Sequence, residues 1–177
     1  MAEQGTQTVN VFIRGITVHD DRDRVGGRGE YDATFVAAAS PASSAPDSRS
    51  GCRWAGSVSK GHTYEVRLWT GAVTFPSGHS LAVVGLGEEQ DVLVADALRG
   101  GLALLGADRD WGVGRWWRTT NGPHFDFLFF VARIEGGAPA SKIAEPFWSS
   151  DALDAPGPER PTPNEYAVAA GAPITYD

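Results

Sequence analysis

The stretch that most constrains the fold is Val9, Val11 and Ile13, recurring at every second position, then Gly15, then Ile16 and Val18 in the opposite phase. Successive side chains of a strand point to opposite faces, so a period of two marks a strand with one buried face. A glycine where the phase reverses marks an inserted residue, a β-bulge. Residues 8–19 therefore predict one bent strand.

The same period returns along the chain. Tyr31, Ala33, Phe35 and Ala37 predict a second strand, Trp54 and Val58 a short third, and Tyr64, Val66 and Leu68 a fourth. Leu81 to Leu86 is an unbroken apolar run with two valines, which predicts a buried strand. Phe125, Phe127, Phe129 and Val131 alternate with Asp126, Leu128 and Phe130. A strand apolar on both faces belongs at the centre of a sheet. One helix is predicted over Val92–Leu105, where Val92, Ala95, Leu98 and Leu102 recur at helical spacing. Gly100 and Gly101 interrupt it, each costing about 1 kcal/mol relative to alanine.

With 22 glycines and 11 prolines, the composition favours short strands and turns over long helices. The expected fold is all-β, an antiparallel β-sandwich over residues 1–135 with that one short helix. From Gly136 onward seven prolines, from Pro139 to Pro173, preclude long regular structure. Residues 136–177 are read as an irregular Pro-rich arm, with Phe147, Trp148 and Tyr166 as its anchors.

Charge and cysteine narrow the function classes. The net charge of −7 argues against a broad nucleic-acid surface. No run approaches the ~18–20 apolar residues that span a bilayer. The first residues carry neither a basic region nor an apolar run, and Cys52 is the single cysteine. A cytoplasmic protein without an intramolecular disulfide is expected, with signal-independent export left open.

The densest chemistry lies between His19 and Tyr31. Asp20, Asp21 and Asp23 cluster at the end of one strand, glycines follow, and Glu30 opens the next. A hard cation such as Ca²⁺ takes six to eight oxygens at roughly 2.3–2.6 Å, and carboxylates on a flexible turn supply several of them. A second acidic stretch, Glu88, Glu89 and Asp91, follows the apolar run 81–86. If both stretches share one end of the domain, their like charges need a cation between them. The alternative is a self-neutralised turn, because Arg22, Arg24 and Arg28 interleave with the acids.

The order of strand, Val-His-Asp-Asp-Arg-Asp, glycine turn and Gly-Glu-Tyr resembles the calcium-binding edge of synaptotagmin-type β-sandwich domains. It also resembles bacterial β-sandwich domains with an acidic first loop. The resemblance covers residues 9–37 well and 81–96 loosely, and does not reach the arm. It implies Asp20, Asp21 and Asp23 as first-loop ligands, and Asp91 with Glu88 or Glu89 as second-loop ligands. Glu30 matches the bacterial pattern alone. The three arginines of the first loop depart from the family.

Trp111, Trp116 and Trp117 lie in a Gly-rich stretch beside Asp108 and Asp110. Exposed, they would form a stacking platform or a membrane wedge; buried, they would cap an open end of the domain. His19, His62, His79 and His124 form no ligand pair, and Ser77-Gly78-His79-Ser80 lacks the nucleophile-elbow pattern. No enzyme is expected. The expected function is a non-catalytic Ca²⁺-binding module used for binding or assembly. The alternative is a metal-free structural subunit of a larger bacterial or viral assembly, its arm making inter-subunit contacts. A protein partner or self-assembly is expected in either case, with no nucleic acid and no membrane.

Overall fold

The computed structural model describes residues 5–22, 28–41, 47–76, 78–90, 95–106 and 112–134, with the backbone pairing of 173–174. The described residues are all-β, in nine strands: β1 (Thr6–Val18), β2 (Gly29–Ser40), β3 (Arg49–Val58), β4 (Thr63–Pro76), β5 (Ser80–Gln90), β6 (Ala95–Leu105), β7 (Trp116–Arg118), β8 (Phe125–Ile134) and β9 (Pro173–Ile174). They form one sheet in the order β3-β2-β5-β6-β8-β1-β4, with β7 and β9 also paired to β8. Pairing is antiparallel except for β6 with β8 and β8 with β9.

The two ends of this sheet meet. The Ser50 hydroxyl of β3 donates to the Thr70 carbonyl of β4 at 2.6 Å, and the Thr74 amide donates to the Asp47 carbonyl at 2.7 Å. The sheet is thus rolled nearly into a barrel, where alternation had predicted two stacked sheets. Both architectures put every second residue inside, so the period alone does not separate them.

Bulges supply the curvature. The predicted irregularity at Gly15 is present: Ile13 to Gly15 on β1 spans two residues while its β8 partners, Phe129 and Leu128, are adjacent. This reversal turns Ile16 and Val18 inward after Val9, Val11 and Ile13. On β4, Arg67 and Gly71 have φ of 53° and 102°, beside two register shifts against β1. Only glycine adopts the second without strain, and a Cβ there would lie 2.3 Å from Ser50 Oγ, at the seam.

The predicted helix is a strand. Residues 95–105 form β6, and 92–94 lie outside the described residues. A bulge at Gly100 and Gly101 shifts β6 against β5 between the pairs Val84–Leu102 and Leu86–Arg99. Leu98 faces inward before it, Ala103 and Leu105 after it. That mixed spacing imitates a helical period. Both glycines are needed for packing. A Cβ on Gly100 would meet the Phe125 ring at 2.4 Å, and one on Gly101 the Thr119 side chain at 2.2 Å.

β8 lies centrally, as its two apolar faces require. One edge pairs with β1, and the other pairs in turn with β6, β7 and β9. Phe125, Phe127, Phe129 and Val131 fill the interior, with Phe35 edge-on to Phe125 and Phe127 at 6.2 and 5.2 Å. Each such ring contributes roughly 1.5–3 kcal/mol by leaving water. Leu128, Phe130 and Ala132 point the other way and pack with Phe12 and Trp116 in a second buried cluster. Trp116 is fully buried and Trp117 packs on the main core, its indole N–H donating to Gly112 O at 3.3 Å. Trp111, Asp108, Asp110 and the arm apart from 173–174 lie outside the described residues.

Candidate functional site

The acidic end of the sheet is built around Tyr31. This phenol faces inward from β2 and donates its proton to the carbonyl of Asp20, where the chain leaves β1. Its cross-strand partner on β5 is Glu89, also buried. Burial first, then the carboxylates of Asp20, Asp21 and Glu89, push the phenol well above its ordinary pKa. Asp20 and Asp21, in the turn after β1, and Glu89, near the end of β5, therefore share this end.

Each of these acids has a partner. Asp20 Oδ1 accepts from the Arg22 amide at 3.0 Å, and its Oδ2 lies 3.6 Å from Arg22 Nε. Asp21 Oδ2 accepts from the Lys60 amide at 3.1 Å, and Glu89 Oε1 from the Glu30 amide at 3.4 Å. Of the four other expected ligands, the two that are described point elsewhere. Glu30 and Glu88 are exposed on the outer face of β2 and β5. Alternation decides this: Glu89 faces in, so Glu88 faces out. Asp23 and Asp91 lie outside the described residues, and among the described ones no three His, Cys, Asp or Glu side chains form a metal-holding group.

Two histidines that sequence spacing did not single out complete this end. His19 Nε2 lies 2.7 Å from Asp126 Oδ2, and Asp126 Oδ1 accepts from the Gly122 amide at 3.0 Å. The His124 carbonyl accepts from the amides of His19 and Asp20, and its Nδ1 accepts from the Arg99 amide at 2.7 Å. Arg22 Nη2 sits 2.6 Å from His124 Nε2. These residues are up to 107 positions apart in the chain, so only the fold brings them together.

Burial pushes the Cys52 thiol up to about 12, so it holds its proton at neutral pH. His79 Nδ1 lies 2.9 Å from the Pro41 carbonyl, to which it donates.

A second surface stands on the outside of β3, β2, β5 and β6. Register aligns its outward residues in rows: Ala55, Asp32, Glu88 and Ala97; then Arg53, Thr34, Leu86 and Arg99. Gly51, Val36, Val84 and Leu102 come next, followed by Arg49, Ala38, Ala82 and Leu104. One half is polar. There Arg53 forms an ion pair with Asp32 and holds its carboxyl below the usual carboxylate range, beside an open groove of about 400 Å³ that Glu30 and Gln90 also line. The other half is apolar. Leu86, Leu102 and Leu104, 46%, 49% and 63% exposed, are the exposed large apolar side chains of the described residues; Leu102 and Leu104 belong to it, and Leu86 stands at its border, paired with Arg99. The run 81–86 is thus buried on its inner side only.

Compared with protein-family models, with characterised proteins and with solved structures, the chain finds no match.

Proposed function

We propose that this chain is a non-catalytic assembly module whose copies meet through the apolar outer half of β2, β5 and β6. The observation that carries this is the gathering of Leu86, Leu102 and Leu104 on adjacent strands of one face. Single exposed leucines are ordinary, whereas a contiguous apolar patch rimmed by charge marks an interaction surface. Arg49 borders the apolar end, and Asp32 and Glu88 lie side by side three rows away. A twofold axis running across the strands lays the acidic row of one copy toward Arg49 of the other, so charge supports the pairing. Sedimentation velocity tests it. The wild type should associate as concentration rises, and Leu102→Lys/Leu104→Lys should remain a monomer with an unchanged circular dichroism spectrum. A wild type that stays monomeric at every concentration would defeat the proposal.

A second reading has its own support: a Ca²⁺ ion at the Tyr31 end, with Asp20, Asp21 and Glu89 contributing oxygens. The crowding of these carboxylates around one buried phenol favours it. The ion pair of Asp20 with Arg22 weighs against it. Binding to the folded state would raise Tm with Ca²⁺ concentration, and chelator would reverse the rise. A melting curve indifferent to both ends this reading and leaves the assembly reading intact.

A further inference from the structure

The sheet path begins at β3 and ends at β4, and no ladder of backbone bonds joins the two. Side chains close the seam instead. The Ser50 hydroxyl reaches the Thr70 carbonyl at 2.6 Å, and nearer the connecting turn the Trp54 and Tyr64 rings meet across the seam at 6.3 Å. The Tyr64 hydroxyl accepts from the Ser59 amide at 2.7 Å, which fixes that ring. At the far end the Thr74 amide donates to the Asp47 carbonyl.

The core is least covered along this line. Among the described residues, six partly buried hydrophobics pack on the main core, and four of them are Cys52, Trp54, Tyr64 and Leu68. All four belong to β3 and β4, whereas the inward residues of β1, β2 and β8 are buried. The short junction of β6 with β8 differs. There the Phe125 ring is wedged against Gly85 and Gly100, and Arg99 bonds twice to His124.

Asn10 explains how β4 presents an acceptor to β3. Between the pairs Asn10–Ala72 and Phe12–Trp69, both Thr70 and Gly71 stand opposite Val11. The fully buried Asn10 side chain accepts from the Gly71 amide at 2.9 Å, and the Thr70 hydroxyl accepts from the Val11 amide at 3.4 Å. Side chains thus take up donors that the bulge removes from the ladder, and the Thr70 carbonyl is turned to Ser50.

We infer that the barrel opens along β3 and β4, and that Asn10, Thr70 and Ser50 form the clasp that holds it shut. Opening leaves β3 on its ladder with β2, and β4 on its ladder with β1. It frees two strand edges and uncovers Cys52, Trp54 and Tyr64. The seam is therefore where the interior is entered without unfolding the rest. The clasp depends neither on what the outer leucines meet nor on what the acidic end binds.

Thiol labelling of the full chain, read beside amide exchange, tests the clasp. Wild-type Cys52 should react with an aromatic disulfide reagent far more slowly than a free thiol. It should still react about tenfold or more faster than global opening, measured at the Phe130 amide, and with a weaker urea dependence. Ser50→Ala should speed labelling about fivefold, the worth of one hydrogen bond. Asn10→Ala, which leaves the Gly71 amide without its acceptor, should speed it more; if that variant does not fold, Ser50→Ala decides alone. Leu128→Val, in the outer cluster away from the seam, should speed Phe130 exchange and leave the Cys52 rate unmoved. A Cys52 that reacts like a free thiol, or one that follows Phe130 through urea and in Leu128→Val, would overturn the clasp. So would labelling of Ser50→Ala, or of a folded Asn10→Ala, at the wild-type rate.

Discussion

The sheet carries apolar side chains on two outer faces, and the two behave differently. On β1, β7 and β8, the outward residues Phe12, Trp116, Leu128, Phe130 and Ala132 are all at most 4% exposed. Their rings interlock, with Phe12 at 5.0 Å from Trp69 and 6.2 Å from Trp116, and Trp116 at 5.1 Å from Phe130. On β5 and β6, the outward Leu86, Leu102 and Leu104 stand about half in water. Residue class and strand parity are alike on both faces, so hydrophobicity alone does not separate core from contact surface. Covered apolar area contributes to folding; on the proposed reading, open apolar area is left for association.

Mutation can break that distinction. The largest effect is expected on the covered face. Trp116→Ala or Phe130→Ala should lower unfolding free energy by about 3–5 kcal/mol in urea titrations, as loss of a buried aromatic does. A loss under ~1 kcal/mol would mean the face is not a second core. Next comes Gly100→Ala, where the added methyl meets the Phe125 ring and the Gly85 carbonyl. Overpacking of this kind costs about 1–3 kcal/mol, and a neutral result would deny that Phe125 is seated against β6. On the open face, Leu102→Lys/Leu104→Lys should change monomer stability by no more than ~0.5 kcal/mol per site. A larger loss would assign these leucines to folding. The smallest effect belongs to the polar half, at Arg53→Ala. Asp32 should then titrate nearer its ordinary value of 3.8. Its depressed carboxyl lends stability above that value, lost as the solution is acidified, and the variant should show a weaker version of this acid dependence.

Much of the architecture was legible because a period of two survives in β1, β2 and β8, and Gly15 announced the phase reversal. β6 was misread for the same physical reason that β1 was read correctly. Both carry a bulge, but at Gly100 and Gly101 it falls mid-strand, so that Leu98, facing in, and Leu102, facing out, completed a helix-like spacing with Val92 and Ala95. Closure into a barrel was not legible, because it depends on β3 and β4 meeting through Ser50 and Thr70. At the acidic end, the sequence pointed to Asp20 and Asp21, which lie beside Tyr31. It left Glu88 and Glu89 open as alternatives, and parity puts Glu89 beside Tyr31. His124 carried no local signal, since its partners Arg22 and Arg99 reach it from other strands.

Methyl spectra of the wild-type chain test the assembly claim most directly. Diluting a concentrated sample should shift the Leu86, Leu102 and Leu104 methyls together, and mixed-labelled samples should show contacts from them to a second copy. Leu81, inside the sheet, should stay still. Leucine signals on the open face that ignore dilution and find no neighbour in another molecule would contradict the account.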